Sequence, residues 1–121
     1  MSPMRPARLA TLHLCALFAA CGTSAAPAPA PVPPGARVVA IDVGRTYTPD
    51  EIAATPGEVL HLVFTRSSDE GCGEELVFPD LDLRRDLPLG EPVAVDVTAP
   101  ASGRLGFTCG MAMYRGAVVV R

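Results

Sequence analysis

Short stretches in which apolar residues alternate with other residues recur from residue 38 onward, and this pattern limits the fold more than any other feature. Residues 38–43, 58–65 and 93–98 follow it with several β-branched side chains, and residues 117–120 form a final apolar run. A period of two is typical of half-buried β-strands. Turn signals rich in Pro and Gly separate the stretches, and no long segment has a helical periodicity. The pattern therefore predicts an all-β fold, a small antiparallel Greek-key β-sandwich.

The N-terminus has the features of an export signal. Basic residues precede an apolar stretch at 9–20, which is shorter than the run of about 20 apolar residues that a bilayer-spanning helix needs. Residues 18–21, Phe-Ala-Ala-Cys, resemble a bacterial lipobox, in which the cysteine becomes the lipidated first residue of the mature protein. We therefore expect a lipoprotein signal peptide at 1–20 and lipidation of Cys21. The alternative is an ordinary signal peptide cleaved after Ala20 or a little later, which leaves Cys21 as an unmodified thiol.

An uncharged stretch rich in Ala and Pro follows the expected cleavage site. Proline-rich stretches of this kind form extended, semi-rigid spacers. We therefore expect the lipidated cysteine and a tether to occupy residues 21–36, and a folded domain to occupy residues 37–121. This organisation predicts an exported lipoprotein that is anchored in a membrane and faces the periplasm or the cell exterior.

Charge and residue types exclude several classes of function. The net charge is −3, and the ten basic residues, all of them Arg, form no patch that would indicate nucleic-acid binding. His61 is the only histidine of the expected domain and has no evident partners for a Ser-His-Asp triad, and no glycine-rich phosphate loop is present. We therefore expect a protein that is not an enzyme and does not bind nucleic acid.

The sulfur-containing residues of the expected domain fall in two short segments. They are Cys72, Cys109, Met111 and Met113, although core methionines are normally scattered as gap fillers. The last three are spaced at i, i+2 and i+4, so in an extended stretch their side chains point the same way. Thiolates and thioethers are soft ligands that select Cu(I), whereas structural zinc sites use Cys and His without Met. The spacing therefore predicts a Cu(I) site.

A disulfide between Cys72 and Cys109 is the main alternative role for the two thiols. Exported domains meet an oxidising compartment, where paired cysteines usually form a bond. Closing a loop of this size stabilises a domain by about 4 kcal/mol in the chain-entropy estimate. The two roles are compatible, because thiols close enough to share a metal ion are close enough to oxidise. The disulfide alone leaves the Met-x-Met spacing unexplained.

Four acidic residues surround the first cysteine, and they are Asp69, Glu70, Glu74 and Glu75. We interpret them as a solvated acidic loop. The functional alternative is that they attract cations or a basic partner surface, an effect that salt screens.

The expected domain resembles the cupredoxin-like family of small copper-binding β-sandwiches. The matching segments are residues 47–49 ahead of a Pro-Gly turn, the strand at 60–64, Cys72 followed by residues 76–79, and the segment 106–116 before the closing strand. The subgroup that it most resembles carries Cys where blue-copper proteins carry the first His, and it has a Cys-x-Met-x-Met loop. That subgroup includes membrane-anchored Cu(I)-binding proteins that hand copper to export ATPases.

The resemblance implies a role for each sulfur-containing residue. Cys72 and Cys109 would be bridging or terminal thiolates, and Met111 and Met113 would be thioether ligands to the same or a second Cu(I). A blue-copper site needs two His and one Cys with a weak axial Met, whereas the domain has His61 alone, which we expect to face solvent from a strand. The resemblance therefore does not extend to a type 1 copper centre.

Together these features predict an extracytoplasmic protein that holds Cu(I) and acts as a copper chaperone, buffer or resistance factor. Its expected partners are the copper ion, a copper-export ATPase or other copper-accepting protein, and the membrane through the lipid anchor. Two alternatives stay open: a cupredoxin-type electron-transfer module, and a metal-free β-sandwich stabilised by the Cys72–Cys109 disulfide.

Overall fold

The computed structural model describes residue 3 and residues 30–121. Apart from residue 3, the expected signal peptide and Cys21 lie outside the described residues. The regular secondary structure of the described part consists of strands and one short 3₁₀ helix, Pro79–Leu81. The strands are β1 Arg37–Val43, β2 Tyr47–Thr48, β3 Glu51–Ala54, β4 Val59–Arg66, β5 Glu75–Phe78, β6 Leu83–Asp86, β7 Pro92–Thr98, β8 Arg104–Cys109 and β9 Arg115–Val120. In the part of the chain that the structure describes, no helix has the length and hydropathy needed to cross a membrane.

The strands form two sheets, which confirms the predicted all-β sandwich. The first sheet has the order β2-β1-β4-β7, and the second has the order β3-β9-β8-β5-β6. The expectation of purely antiparallel pairing is wrong, because β1 pairs with β4 and β3 pairs with β9 in parallel. The chain leaves the first sheet after β2, contributes β3 to the second sheet, and returns as β4. Such a crossover lets two strands of one sheet run in the same direction, and alternation alone does not reveal it.

Alternation along the strands divides core residues from surface residues. On β4, Leu60, Leu62 and Phe64 are fully buried between the sheets. Leu105, Phe107 and Cys109 occupy every second position, a spacing that predicts a shared face in a strand, and on β8 all three face the same core. Each fully buried large apolar side chain contributes about 1.5–3 kcal/mol relative to an exposed one. Because Cys109 shares the inward face of β8, the core holds it at the end of a well-packed strand.

Five of the six aromatic residues form one continuous cluster in the core, namely Tyr47, Phe64, Phe78, Phe107 and Tyr114. Their ring centroids lie 5.0–6.3 Å apart, mostly in edge-to-face arrangements, and each such pair adds about 0.5–1.5 kcal/mol beyond the buried area. The hydroxyl of Tyr47 is buried and has no hydrogen-bond partner among the described residues. Burial raises the pKa of this phenol far above its usual range.

The ends of several strands meet at one end of the sandwich. Because β1 and β4 are parallel, Val43 and Arg66 lie side by side at their C-terminal ends. In the second sheet, Leu76 at the start of β5 is opposite Cys109 at the end of β8. The loop that follows β4 and the loop that follows β8 are therefore neighbours in space. We call this the sulfur end of the domain, because both predicted sulfur segments lie there.

Candidate functional site

Cys72 and Cys109 are brought together at the sulfur end and are joined in a disulfide. Cys109 is the last residue of β8 and is only 1% exposed, whereas Cys72 lies in the loop between β4 and β5 and is half-buried. Their Cα atoms are 5.9 Å apart, within the range that disulfides require. The two cysteines are therefore bonded to each other, which is the alternative role that the sequence leaves open for them.

Two glycines allow the loop around Cys72 to pack this closely. Gly71 has φ +83°, and a Cβ atom there would collide with the Tyr114 hydroxyl. Gly73 is buried, and a Cβ atom there would lie 3.0 Å from Cγ1 of Val43. Glycine accepts both the positive φ and the close approach without strain. The two glycines therefore allow Cys72 to lie close to the end of β1 and to the loop that follows β8.

Tyr114 contacts both cysteines and was not singled out from the sequence. Its hydroxyl accepts a hydrogen bond from the backbone N–H of Cys72 at 3.2 Å. Its own backbone N–H donates to Sγ of Cys109, also at 3.2 Å, and its ring packs edge-on against Tyr47 at 5.9 Å between centroids. The only signal in the sequence is that one of the chain's two tyrosines directly follows the Cys-x-Met-x-Met segment.

The two methionines lie on a tight turn between β8 and β9. Ala112 N–H donates to the Cys109 carbonyl at 2.9 Å, and Cys109 N–H donates to the Tyr114 carbonyl at 3.2 Å. Ala112 has φ +57°, in the left-handed region. The expected extended arrangement of Cys109, Met111 and Met113 is therefore wrong, because β8 ends at the cysteine and the chain must reverse to pair with β9. Met111 is 76% and Met113 71% exposed, so neither side chain fills the core.

The acidic residues around Cys72 are partly paired with arginines. Glu70 forms an ion pair with Arg45 at 3.1 Å, and Glu75 forms one with Arg84. Exposed pairs of this kind contribute about 0–1 kcal/mol to stability, but they reduce the local negative charge. The interpretation as a solvated loop agrees with the exposure of Asp69, Glu70 and Glu74, whereas Glu75 is half-buried in β5.

The expectation that His61 faces solvent is wrong. The residue lies on the outer face of the first sheet, opposite Leu60 and Leu62, but it is only 3% exposed. Its Nδ1 atom is 2.6 Å from Oδ1 of Asp96 on the neighbouring β7. Because β4 is an interior strand of its sheet, side chains from both neighbouring strands flank this imidazole. His61 is therefore engaged on a different sheet from the one that carries Cys109.

Within residues 30–121, no group of three or more His, Cys, Asp or Glu side chains is placed to hold a metal ion. The candidate ligands stay the four sulfur-containing residues at the sulfur end, which the sequence predicts. Two of them are joined as a disulfide, and the other two extend into solvent on the adjacent turn. Reduction would give a donor set of two thiols and two thioethers, which is chemically suited to soft cations such as Cu(I).

Two solved copper-binding structures are similar to this chain. The metal-binding domain of the Cu(I)-exporting P-type ATPase CopA from Streptococcus pneumoniae has 25% identity and a TM-score of 0.67, over 77% of this chain and 93% of that one. A copper-binding protein solved in its apo form has 32% identity and a TM-score of 0.64, over 78% of this chain and 96% of that one.

A third structure shares the fold alone. Auracyanin from the photosynthetic bacterium Roseiflexus castenholzii has 17% identity and a TM-score of 0.53, over 72% of this chain and 99% of that one. No curated protein sequence matches the chain. The family profile of the cupredoxin-like domain matches residues 11–120. The chain therefore belongs to the cupredoxin-like domain family.

Proposed function

We propose that this protein is an extracytoplasmic copper-binding protein that holds Cu(I) through Cys72, Cys109, Met111 and Met113. It acts as a copper chaperone, buffer or resistance factor and is not an enzyme. The observation that carries the proposal is the sulfur end itself, where two cysteines with Cα atoms 5.9 Å apart lie beside two exposed methionines. Two structural relatives bind copper, and one of them is part of a Cu(I) exporter, which supports copper as the cargo.

Reduction of the disulfide has to precede binding through the cysteines. A thiol reductant supplies two electrons and two protons, which break the S–S bond and leave two thiols. Each thiol then loses its proton when it binds the metal ion, because the thiolate is the ligand. An all-sulfur donor set favours Cu(I) over Cu(II). Holding or passing on the ion therefore suits this site better than cycling between oxidation states.

The exposure of the donors supports a path from solvent into the site. Met111 and Met113 extend into solvent on the turn, whereas Cys109 is fixed by the core at the end of β8. An incoming ion, or an ion presented by another protein, reaches the thioethers first. The partner in this proposal is a copper-accepting protein such as a copper-export ATPase, and lipidation of Cys21 keeps the domain at the membrane.

A metal-free β-sandwich is the second candidate, and the disulfide favours it directly. In that case the bond is a permanent cross-link, and the exposed methionines have no ligand role. The electron-transfer alternative has less support, since a type 1 site needs two His. His61, the only histidine among the described residues, is paired with Asp96 on the other sheet.

An anaerobic competition titration tests the proposal. The detergent-extracted protein is reduced, freed of excess reductant and titrated with Cu(I) against a chromogenic chelator. The wild type is compared with the double variant Met111→Leu/Met113→Leu, which keeps the apolar volume but removes both sulfurs. Leu81→Ala, at an exposed residue of the 3₁₀ helix, is the matched control and should bind as the wild type does. A wild type that never competes with the chelator refutes Cu(I) binding.

Three further measurements test the alternatives and the lipid anchor. A strong visible charge-transfer band on addition of Cu(II) would favour electron transfer. Mass spectrometry of the exported protein after thiol alkylation measures how much of the Cys72–Cys109 pair is bonded. Mass analysis of the N-terminal peptide, with Cys21→Ser as the control, tests lipidation, and an unmodified Cys21 in the wild type would refute the lipid anchor.

A further inference from the structure

Tyr114 links the two cysteine segments through contacts that do not involve the Cys72 sulfur. Its hydroxyl accepts the backbone N–H of Cys72, and its backbone N–H donates to Cys109 Sγ, each at 3.2 Å. Its ring is anchored in the aromatic cluster by the edge-on contact with Tyr47. All three contacts remain available when the S–S bond is broken, because the reduced Cys109 sulfur is still a hydrogen-bond acceptor. Tyr114 thus ties the Cys72 loop to the core independently of the covalent bond.

The Cys72 loop is shaped to receive the Tyr114 hydroxyl. Gly71 has φ +83°, and the space that a Cβ atom would need at this position is occupied by that oxygen. The loop backbone therefore lies directly over the hydroxyl group. Cys72 N–H is partly buried there, and a partly buried donor that loses its acceptor carries a desolvation cost.

We infer that Tyr114 is a positioning residue that keeps Cys72 beside Cys109 when the disulfide is open. After reduction, the loop gains conformational freedom unless a non-covalent contact holds it. The Tyr114 hydroxyl supplies that contact and raises the effective concentration of one thiol near the other. The inference rests on the proposed function in one respect: two thiolates that hold a single Cu(I) must stay close together in the reduced protein.

The size of the effect follows from the single hydrogen bond. A net hydrogen bond of ordinary strength corresponds to about a two- to tenfold change in an equilibrium constant. Tyr114→Phe removes the hydroxyl but keeps the ring contact with Tyr47, so the core remains packed. We expect the equilibrium constant for forming the Cys72–Cys109 disulfide from the dithiol, measured against glutathione, to fall by about two- to tenfold.

Tyr47→Phe is the matched control. It removes the same hydroxyl group from the neighbouring ring, but that hydroxyl has no hydrogen-bond partner among the described residues. We expect this variant to keep the wild-type equilibrium constant. The comparison therefore separates the Cys72–Tyr114 hydrogen bond from the general effect of losing a phenol in the aromatic cluster.

The experiment uses the full exported protein without copper. Samples are equilibrated in mixtures of reduced and oxidised glutathione, quenched by alkylation and analysed by mass spectrometry for the Cys72–Cys109 bond. Hydrogen exchange at the Cys72 amide in the reduced protein is a second readout, and we expect faster exchange in Tyr114→Phe than in the wild type or Tyr47→Phe. A purely structural role would lower the thermal stability of both redox forms without moving the glutathione equilibrium.

Two outcomes would overturn the inference. One is an unchanged equilibrium constant together with unchanged Cys72 amide exchange in Tyr114→Phe. The other is an equal change in Tyr47→Phe, which would assign the effect to core packing. Neither readout contains copper, so a protein that passes this test but does not bind Cu(I) would refute the proposed function and leave the role of Tyr114 intact.

Discussion

Reduction of the Cys72–Cys109 disulfide is expected to lower the free energy of unfolding by about 4 kcal/mol. The bond joins residues separated by 37 positions, and the chain-entropy relation assigns about 4 kcal/mol to a loop of that size at 25 °C. Domains of this size have a total stability of about 5–15 kcal/mol. The cross-link therefore supplies a large part of the stability of a small domain that has few aromatic residues.

Urea denaturation of the oxidised and the reduced protein measures this difference. With an m-value of about 1–3 kcal/mol/M, a loss of about 4 kcal/mol moves the unfolding midpoint by about 1–4 M urea. The m-value of the reduced form should also rise, because an unfolded chain without the cross-link exposes more surface. Cys72→Ser provides the control, since added reductant should leave its midpoint unchanged.

The same urea assay tests whether Cu(I) stabilises the reduced protein. Cu(I) held by both thiolates of the folded protein is again a link between the two loops, and an ion that binds the folded state more tightly than the unfolded state stabilises the fold. Adding Cu(I) to the reduced wild type should therefore restore part of the lost stability, and it should not do so in Cys72→Ser. A loss on reduction below about 1 kcal/mol would refute the chain-entropy reasoning, which predicts about 4 kcal/mol.

Three further predictions concern the two methionines, Tyr47 and Glu58. Met111→Leu/Met113→Leu should weaken Cu(I) binding in the chelator competition but change the unfolding free energy by less than about 0.5 kcal/mol, because both side chains are largely exposed. Tyr47→Phe should leave the unfolding free energy in urea unchanged or raise it by up to about 1 kcal/mol, since the buried hydroxyl has no hydrogen-bond partner among the described residues. A clear loss of unfolding free energy would show that this hydroxyl does have a hydrogen-bond partner. The hydrogen bond from Arg37 holds the pKa of Glu58 below its usual value, so this contribution to stability is present above the ordinary carboxyl pKa and is lost as pH falls through the lowered one. In Glu58→Gln, the unfolding free energy should therefore fall slightly less than in the wild type as the pH is lowered. An identical pH dependence in the two proteins would contradict a stabilising role of the ionised Glu58 carboxylate.

Long strands with strict alternation were predictable from the sequence. The four stretches that alternate or are apolar correspond to β1, β4, β7 and β9, and the inward parity of Leu105, Phe107 and Cys109 matches β8. The short strands β2 and β3 were not predicted, since two to four residues carry too little periodicity. Strand direction was not predictable either, because alternation assigns each residue to a face and is the same for parallel and antiparallel pairs.

The candidate site was predictable in its residue types but not in its local geometry. The segregation of sulfur to two segments indicated that Cys72 and Cys109 would meet. The turn at the two methionines depends on the hairpin from β8 to β9, and the left-handed Ala112 within it has no sequence signature of the kind that glycine provides. The burial of His61 and the contacts of Tyr114 both depend on neighbours distant in sequence. Such neighbours are known only once the strands are paired.

The parallel pairing of β1 with β4 fixes the end of the domain at which the N-terminal segment enters. The chain enters at Arg37, and seven residues of β1 at about 3.3 Å each carry it roughly 20 Å. It arrives at Val43, next to Gly73 and the Cys72 loop. The expected tether would therefore join the domain at the end opposite the sulfur end. If Cys21 is lipidated, the attachment to the membrane enters the domain at the end opposite the cysteines and methionines, which leaves these residues accessible to a protein that delivers or collects the ion.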